Sequence, residues 1–105
     1  MKHILKKEAL FIRLTKQEVS NIKTSVLSID LNAKVYLFGS RVDPTKRGGD
    51  IDLLIISKII TRKDLSKIRW SFFEQFGEQK MDIVVDNGSM FSPFVKMIFP
   101  KAVQL

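Results

Sequence analysis

Asp50 and Asp52 flank Ile51 at the start of an apolar run that continues Leu53-Leu54-Ile55-Ile56. Side chains alternate along a strand, so the two carboxylates project from one face, about 6.6 Å apart. Like charges held that close repel, and burial raises their pKa values unless a cation compensates. A hard divalent cation such as Mg²⁺ is the natural one: it binds carboxylate oxygen and keeps positions open for water and phosphate oxygens. The plain alternative is a solvated aspartate pair at a strand entrance. A third carboxylate, Asp82, opens a later apolar run, Met81-Asp82-Ile83-Val84-Val85. Upstream, Val35 to Phe38 runs into Gly39-Ser40-Arg41.

The elements that must position these residues follow from periodicity. Thr15-x-x-Glu18 matches a capping box, and Val19, Ile22, Val26 and Ile29 fall on one helical face, predicting a helix over 16–30. Residues 1–14 are mixed and read as a short helix. Val35–Phe38 is a strand. Asp43-Pro44 and Gly48-Gly49 mark the following loop. Ile51–Ser57 is a second buried strand. Thr61 caps a helix running to about Phe76, with Leu65, Ile68, Phe72, Phe73 and Phe76 facing the core, and Gly77 stops it. Met81–Val85 is the third strand, Asn87-Gly88 turns the chain, and Ser92-Pro93 opens a short helix to about Phe99. Ala102–Leu105 is a short fourth strand.

The second and third strands are joined through a helix, which suits a parallel crossover. The loop between the first two strands holds no such helix, so that pair is expected to be antiparallel. The fold class is therefore α/β (α+β): a small mixed sheet with helices mainly on one face. In that topology the C-terminal end of strand one meets the N-terminal ends of strands two and three. Gly39-Ser40 and the three aspartates would converge on one sheet edge.

At 105 residues the chain suits one domain, spanning 1–105. Its composition, 45% hydrophobic and 28% charged, argues against disorder. No cysteine is present, which leaves neither disulfides nor thiolate metal sites. The N-terminus has no signal-peptide pattern and no apolar run could span a bilayer, so a soluble, cytoplasmic protein is expected. The net charge of +7 suits an anionic partner or simply makes a basic surface. Aromatic-basic interleaving and a groove-reading helix are both missing, which disfavours a nucleic-acid module. His3, the only histidine, has no metal-site spacing and reads as a surface residue. Trp70 lies beside its helix's apolar stripe and reads as core or edge packing. Ser57 and Ser71 have no serine-nucleophile context.

Leu37-Phe38-Gly39-Ser40, nine residues, then Asp50-Ile51-Asp52-Leu53 resembles the nucleotidyltransferase signature of the DNA polymerase β-like superfamily. Phe38-Gly39-Ser40-Arg41 is especially similar to the minimal nucleotidyltransferases, the MNT proteins often paired with HEPN-domain partners in toxin–antitoxin modules. The resemblance covers about residues 14–105. It implies Asp50, Asp52 and Asp82 as catalytic residues and ligands of Mg²⁺, with two ions. It implies Gly39, Ser40 and Arg41 as the nucleotide-binding turn, and a nucleoside triphosphate, ATP in the first instance, as substrate. The implied reaction attacks the α-phosphate, releases pyrophosphate and adenylylates a hydroxyl of a HEPN-type partner. The chain would then serve as that partner's antitoxin. Lys46 and Arg47 are weaker phosphate-binding candidates. A chain with little beyond the catalytic core must borrow its acceptor site. The apolar segment Met90, Phe91, Phe94, Val95, Met97, Ile98 and Phe99 is expected to contact a partner or a second copy of the chain. The alternative readings are a non-catalytic partner-binding antitoxin on the same fold and a basic nucleic-acid-binding module.

Overall fold

The computed structural model describes residues 12–105; the expectations for His3 and for most of the N-terminal stretch lie outside the described residues. Helix α1 spans Lys16–Ile29. Its capping box forms as expected: Glu18 N–H donates to Thr15 Oγ1 (3.1 Å) and Thr15 N–H donates to Glu18 Oε1 (2.8 Å). Ile22 and Val26 are fully buried. Strand β1 covers Lys34–Phe38 and runs into a single 3-10 turn, Gly39–Val42. Strand β2 is Ile51–Ile56, helix α2 Arg62–Phe76 and strand β3 Met81–Asp86. Helix α3, Pro93–Ile98, starts under a Ser92 cap whose Oγ accepts from Val95 N–H at 3.4 Å. A 3-10 turn at Phe99–Lys101 leads to the two-residue strand β4, Val103–Gln104.

The sheet order is β3-β2-β1-β4. β1 pairs antiparallel with β2 and with β4, and β2 pairs parallel with β3 through α2, so the sheet is mixed. The alternation of side chains divides it into two faces. Val35, Leu37, Ile51, Leu53 and Ile55 point to one face and pack with Ile22 and Val26 of α1 and Ile68 and Phe72 of α2 into the main core. The two long helices thus cover that face.

The short α3 takes the other face. Tyr36 meets Phe99 edge-on with ring centroids 5.1 Å apart, and Phe38 meets Phe94 likewise at 5.9 Å. Leu54 and Val95 are buried on this side. The helix is too short to hide all its apolar residues: Phe94 and Met97 stay exposed, as does Phe91 just before it. Trp70 also departs from its expected packing: it is exposed, because two helical steps of about 100° carry it off the stripe of Ile68 and Phe72.

Candidate active site

The register of the sheet assembles the aspartates. Asp52 is the Cα partner of Asp82 across the parallel β2–β3 pair and of Phe38 across the antiparallel β1–β2 pair. Adjacent strands lie about 4.8 Å apart, so side chains at register positions are neighbours on a common face. Asp50 precedes β2 by one residue and shares the parity of Asp52. All three carboxylates therefore sit at the edge where β1 ends and β2 and β3 begin, on the face that carries α3.

Gly39 is locked into this edge by two constraints. Its φ of +79° lies in the left-handed region that a Cβ disfavours. A Cβ there would also run into the Asp52 carboxylate, with Asp52 Cγ at 3.1 Å and Cβ at 3.3 Å. The turn is thus seated directly against an acidic side chain, with no atom to spare. Ser40 follows in the same 3-10 turn, half-buried, its Oγ facing Gly48.

Two arginines hold the loop that separates Ser40 from Asp50. Arg41 donates from Nη1 to the Arg13 carbonyl (2.7 Å) and from Nη2 to the Gly49 carbonyl (3.0 Å). Arg13 returns its backbone N–H to the Arg41 carbonyl (2.8 Å) and its Nη2 to the Gly48 carbonyl (3.1 Å). The two ends of the Arg41 fork are therefore spent on backbone oxygens, and the bonds at Gly48 and Gly49 fix the approach to Asp50. Both Nε–H groups are buried without a protein acceptor among the described residues. Lys46 and Arg47 lie exposed in the loop. Asp43 is a turn residue: it accepts from Thr45 Oγ1 (2.7 Å) and Thr45 N–H (2.9 Å), which hold its carboxyl below the ordinary range.

The electrostatics single out Asp52. Burial pushes its carboxyl above the ordinary aspartate range, and the negative charges of Asp82 and Asp50 push it further. Lys80 opposes them. Its Nζ stands 3.6 Å from Asp50 Oδ2 and 3.9 Å from Asp82 Oδ2. Among the described residues, no three His, Cys, Asp or Glu side chains are gathered closely enough to enclose a metal ion by themselves. The aspartates offer one open side of a coordination shell. All-oxygen donors, crowded negative charge and an ammonium drawn between two of the carboxylates fit a hard divalent cation that takes its other ligands from water and phosphate.

Lys80 is the residue that sequence reasoning missed. Its signal was present, because Lys80 and Asp82 are two apart and share a face just as Asp50 and Asp52 do. Arg13 gave no such signal, since it reaches the loop from a remote point in the chain.

A concavity of about 940 Å³ lies at the far end of the sheet and is lined by Asp30, Ile56, Ser57 and Asn87 among others. Its buried polar groups serve the fold. Ser57 Oγ donates to Asp30 Oδ2 (2.6 Å) and accepts from Ile60 N–H (3.0 Å), while Asp30 Oδ1 accepts from Asn32 N–H (2.9 Å). No helix among the described residues is long and apolar enough to cross a membrane. The sequence model of a family described as "Nucleotidyltransferase domain" matches residues 19–103, which takes in strands β1 to β3 and every aspartate of the edge. No curated protein gives a significant match to the chain.

Proposed function

The chain belongs to the nucleotidyltransferase domain family, and from that premise we propose that it moves a nucleotidyl group, adenylyl from ATP in the simplest case, onto a hydroxyl of a partner protein, with Mg²⁺ as cofactor. The observation that carries the reading is the register pairing of Asp52 with Asp82 beside a Gly39 whose missing Cβ the Asp52 carboxylate fills.

When bound, Mg²⁺ ions would neutralise charge on the α-phosphate and on the departing pyrophosphate. The residues of the chain do the rest. Asp50 and Asp52 hold the cation side of the site, and Asp52, crowded by the charges of Asp82 and Asp50, gains from a positive charge. Gly39 and Ser40 present a tight turn whose backbone a phosphate can approach closely. Arg13 and Arg41 keep that turn and the Asp50 approach in register, and Arg41 adds positive potential beside the phosphates. Asp82 is about half exposed, as is Asp50, and stands on the neighbouring strand, where a second molecule can reach it. It orients the acceptor hydroxyl and takes up its proton. The acceptor oxygen bonds to the α-phosphorus as the bond to the pyrophosphate oxygen breaks.

What lies next to the site supports a protein acceptor. Phe38, the register partner of Asp52, packs on Phe94, so the exposed apolar residues of α3 share the face of the aspartates. A partner seated on Phe91 and Met97, which are 82% and 65% exposed, brings its own hydroxyl to that edge. The resemblance of Phe38-Gly39-Ser40-Arg41 to the MNT proteins makes a cytoplasmic HEPN-type partner, with this chain as its antitoxin, the specific form of the proposal. Calorimetric titration of Mg²⁺–ATP tests it. Metal-dependent binding to the wild type that vanishes in Asp50→Ala/Asp52→Ala is the expected result; equal binding by both forms would overturn the site.

A further inference from the structure

We infer that Lys80 is a built-in counter-ion for the carboxylates of the site, one that occupies the cation position until a divalent metal displaces it. The inference rests on the metal-dependent reading above and assigns a role to a residue outside the Gly-Ser and Asp-x-Asp signature.

The placement of Lys80 comes from the sheet. Ile51 N–H donates to the Lys80 carbonyl at 3.1 Å, and the β2–β3 register begins with Ile51 opposite Met81. Continued one residue back, that register sets Lys80 beside Asp50, as it sets Asp82 beside Asp52. Parity then puts all four side chains on one face. The ammonium consequently lies between two carboxylates, Asp50 just ahead of β2 and Asp82 in β3, within 4 Å of an oxygen of each.

Three aspartates at one edge carry more negative charge than a folded protein tolerates cheaply, above all around half-buried Asp52. Lys80 relieves part of that repulsion when no metal is present. It does so weakly, because the lysine side chain is 68% exposed and solvent screens its pairs. A weak, flexible, monovalent cation is suited to leaving when a divalent one arrives. Its presence carries a consequence: the metal must expel it, so the wild type binds metal less tightly than the carboxylates alone would allow. The device eases the repulsion at the edge while no metal is bound.

The test is Mn²⁺ binding to the full chain without nucleotide, followed by calorimetry in wild type, Lys80→Gln and Lys80→Arg. Lys80→Gln should bind Mn²⁺ about two- to thirtyfold more tightly, the range that two exposed ion pairs span. Lys80→Arg, which keeps the charge, should match the wild type. In chelator, Lys80→Gln should melt below the wild type and gain more from added Mn²⁺. Equal or weaker Mn²⁺ binding by Lys80→Gln, with the wild type binding normally, would overturn the counter-ion role and leave the metal site standing. Failure of all three forms to bind Mn²⁺ would overturn the metal-dependent reading and this inference with it.

Discussion

Substituting Gly39 by alanine probes the site's geometry without removing any of its charge. Two costs are expected. Holding an alanine at φ +79° costs about 1–2 kcal/mol, because its Cβ crowds the carbonyl oxygen in left-handed backbone. Seating that Cβ against Asp52, whose Cγ and Cβ would lie 3.1 and 3.3 Å away, forces the carboxylate to move. Overpacking of this kind costs about 1–3 kcal/mol more. The second cost depends on Asp52, so a double-mutant cycle separates the two. In an Asp52→Ala background the carboxylate is gone and only the Cβ contact remains, so Gly39→Ala should cost little beyond the backbone share. A coupling of about 1 kcal/mol or more is expected, read from urea unfolding midpoints at constant m. In a domain of this size it corresponds to melting-temperature differences of about 4–8 °C. Additivity within about 0.5 kcal/mol would refute the claim that the turn is seated on Asp52, as would a neutral Gly39→Ala.

Asp52→Asn should stabilise the metal-free protein at neutral pH. The folded carboxyl titrates above its unfolded value, so the native state holds the extra proton. Wild-type stability therefore falls as pH rises from the ordinary aspartate value through the raised one. The advantage of Asp52→Asn should be complete above that window and disappear below it, as thermal melts across pH would show. Arg41→Lys should lose the fork that bonds the Arg13 and Gly49 carbonyls. A loss of about 1–3 kcal/mol and faster proteolysis within residues 43–49 are expected; unchanged cleavage would contradict the clamp. Phe91→Asp/Met97→Asp should leave the melting temperature within about 4 °C, since both side chains are largely exposed. The same pair should abolish partner association in analytical ultracentrifugation with the protein encoded by the adjacent reading frame. Association at wild-type strength would remove α3 as the docking face.

Much of this structure was legible because local signals and topology agreed. The Thr15–Glu18 capping box, the Ser92-Pro93 helix start and the Gly77 stop each mark a boundary that the fold uses. The convergence of Asp50, Asp52 and Asp82 on one sheet edge followed from strand parity plus two connection rules, and the observed register has that form. Interactions between remote segments were not legible. Arg13 meets Gly48 only because the chain entering α1 crosses the loop, and no period in either segment encodes that. The loop bonds engage the Arg41 fork with backbone carbonyls, which carry no sequence signature. Placing α3 opposite the long helices depended on Tyr36 and Phe38, whose side of the sheet is fixed by pairing rather than by composition. Lys80 was readable in principle, but a single lysine before a strand is ordinary until its neighbours across the sheet are known.

The central claim is that the aspartate edge catalyses transfer of the α-phosphoryl nucleotide. The most direct measurement incubates the chain, Mg²⁺ and the protein encoded beside it with ATP labelled at either the α- or the γ-phosphate, comparing wild type with Asp50→Asn/Asp52→Asn. Label on the partner from the α-position alone, lost in the variant, is the predicted result. Label from the γ-position, or α-label that survives in the variant, would contradict the account.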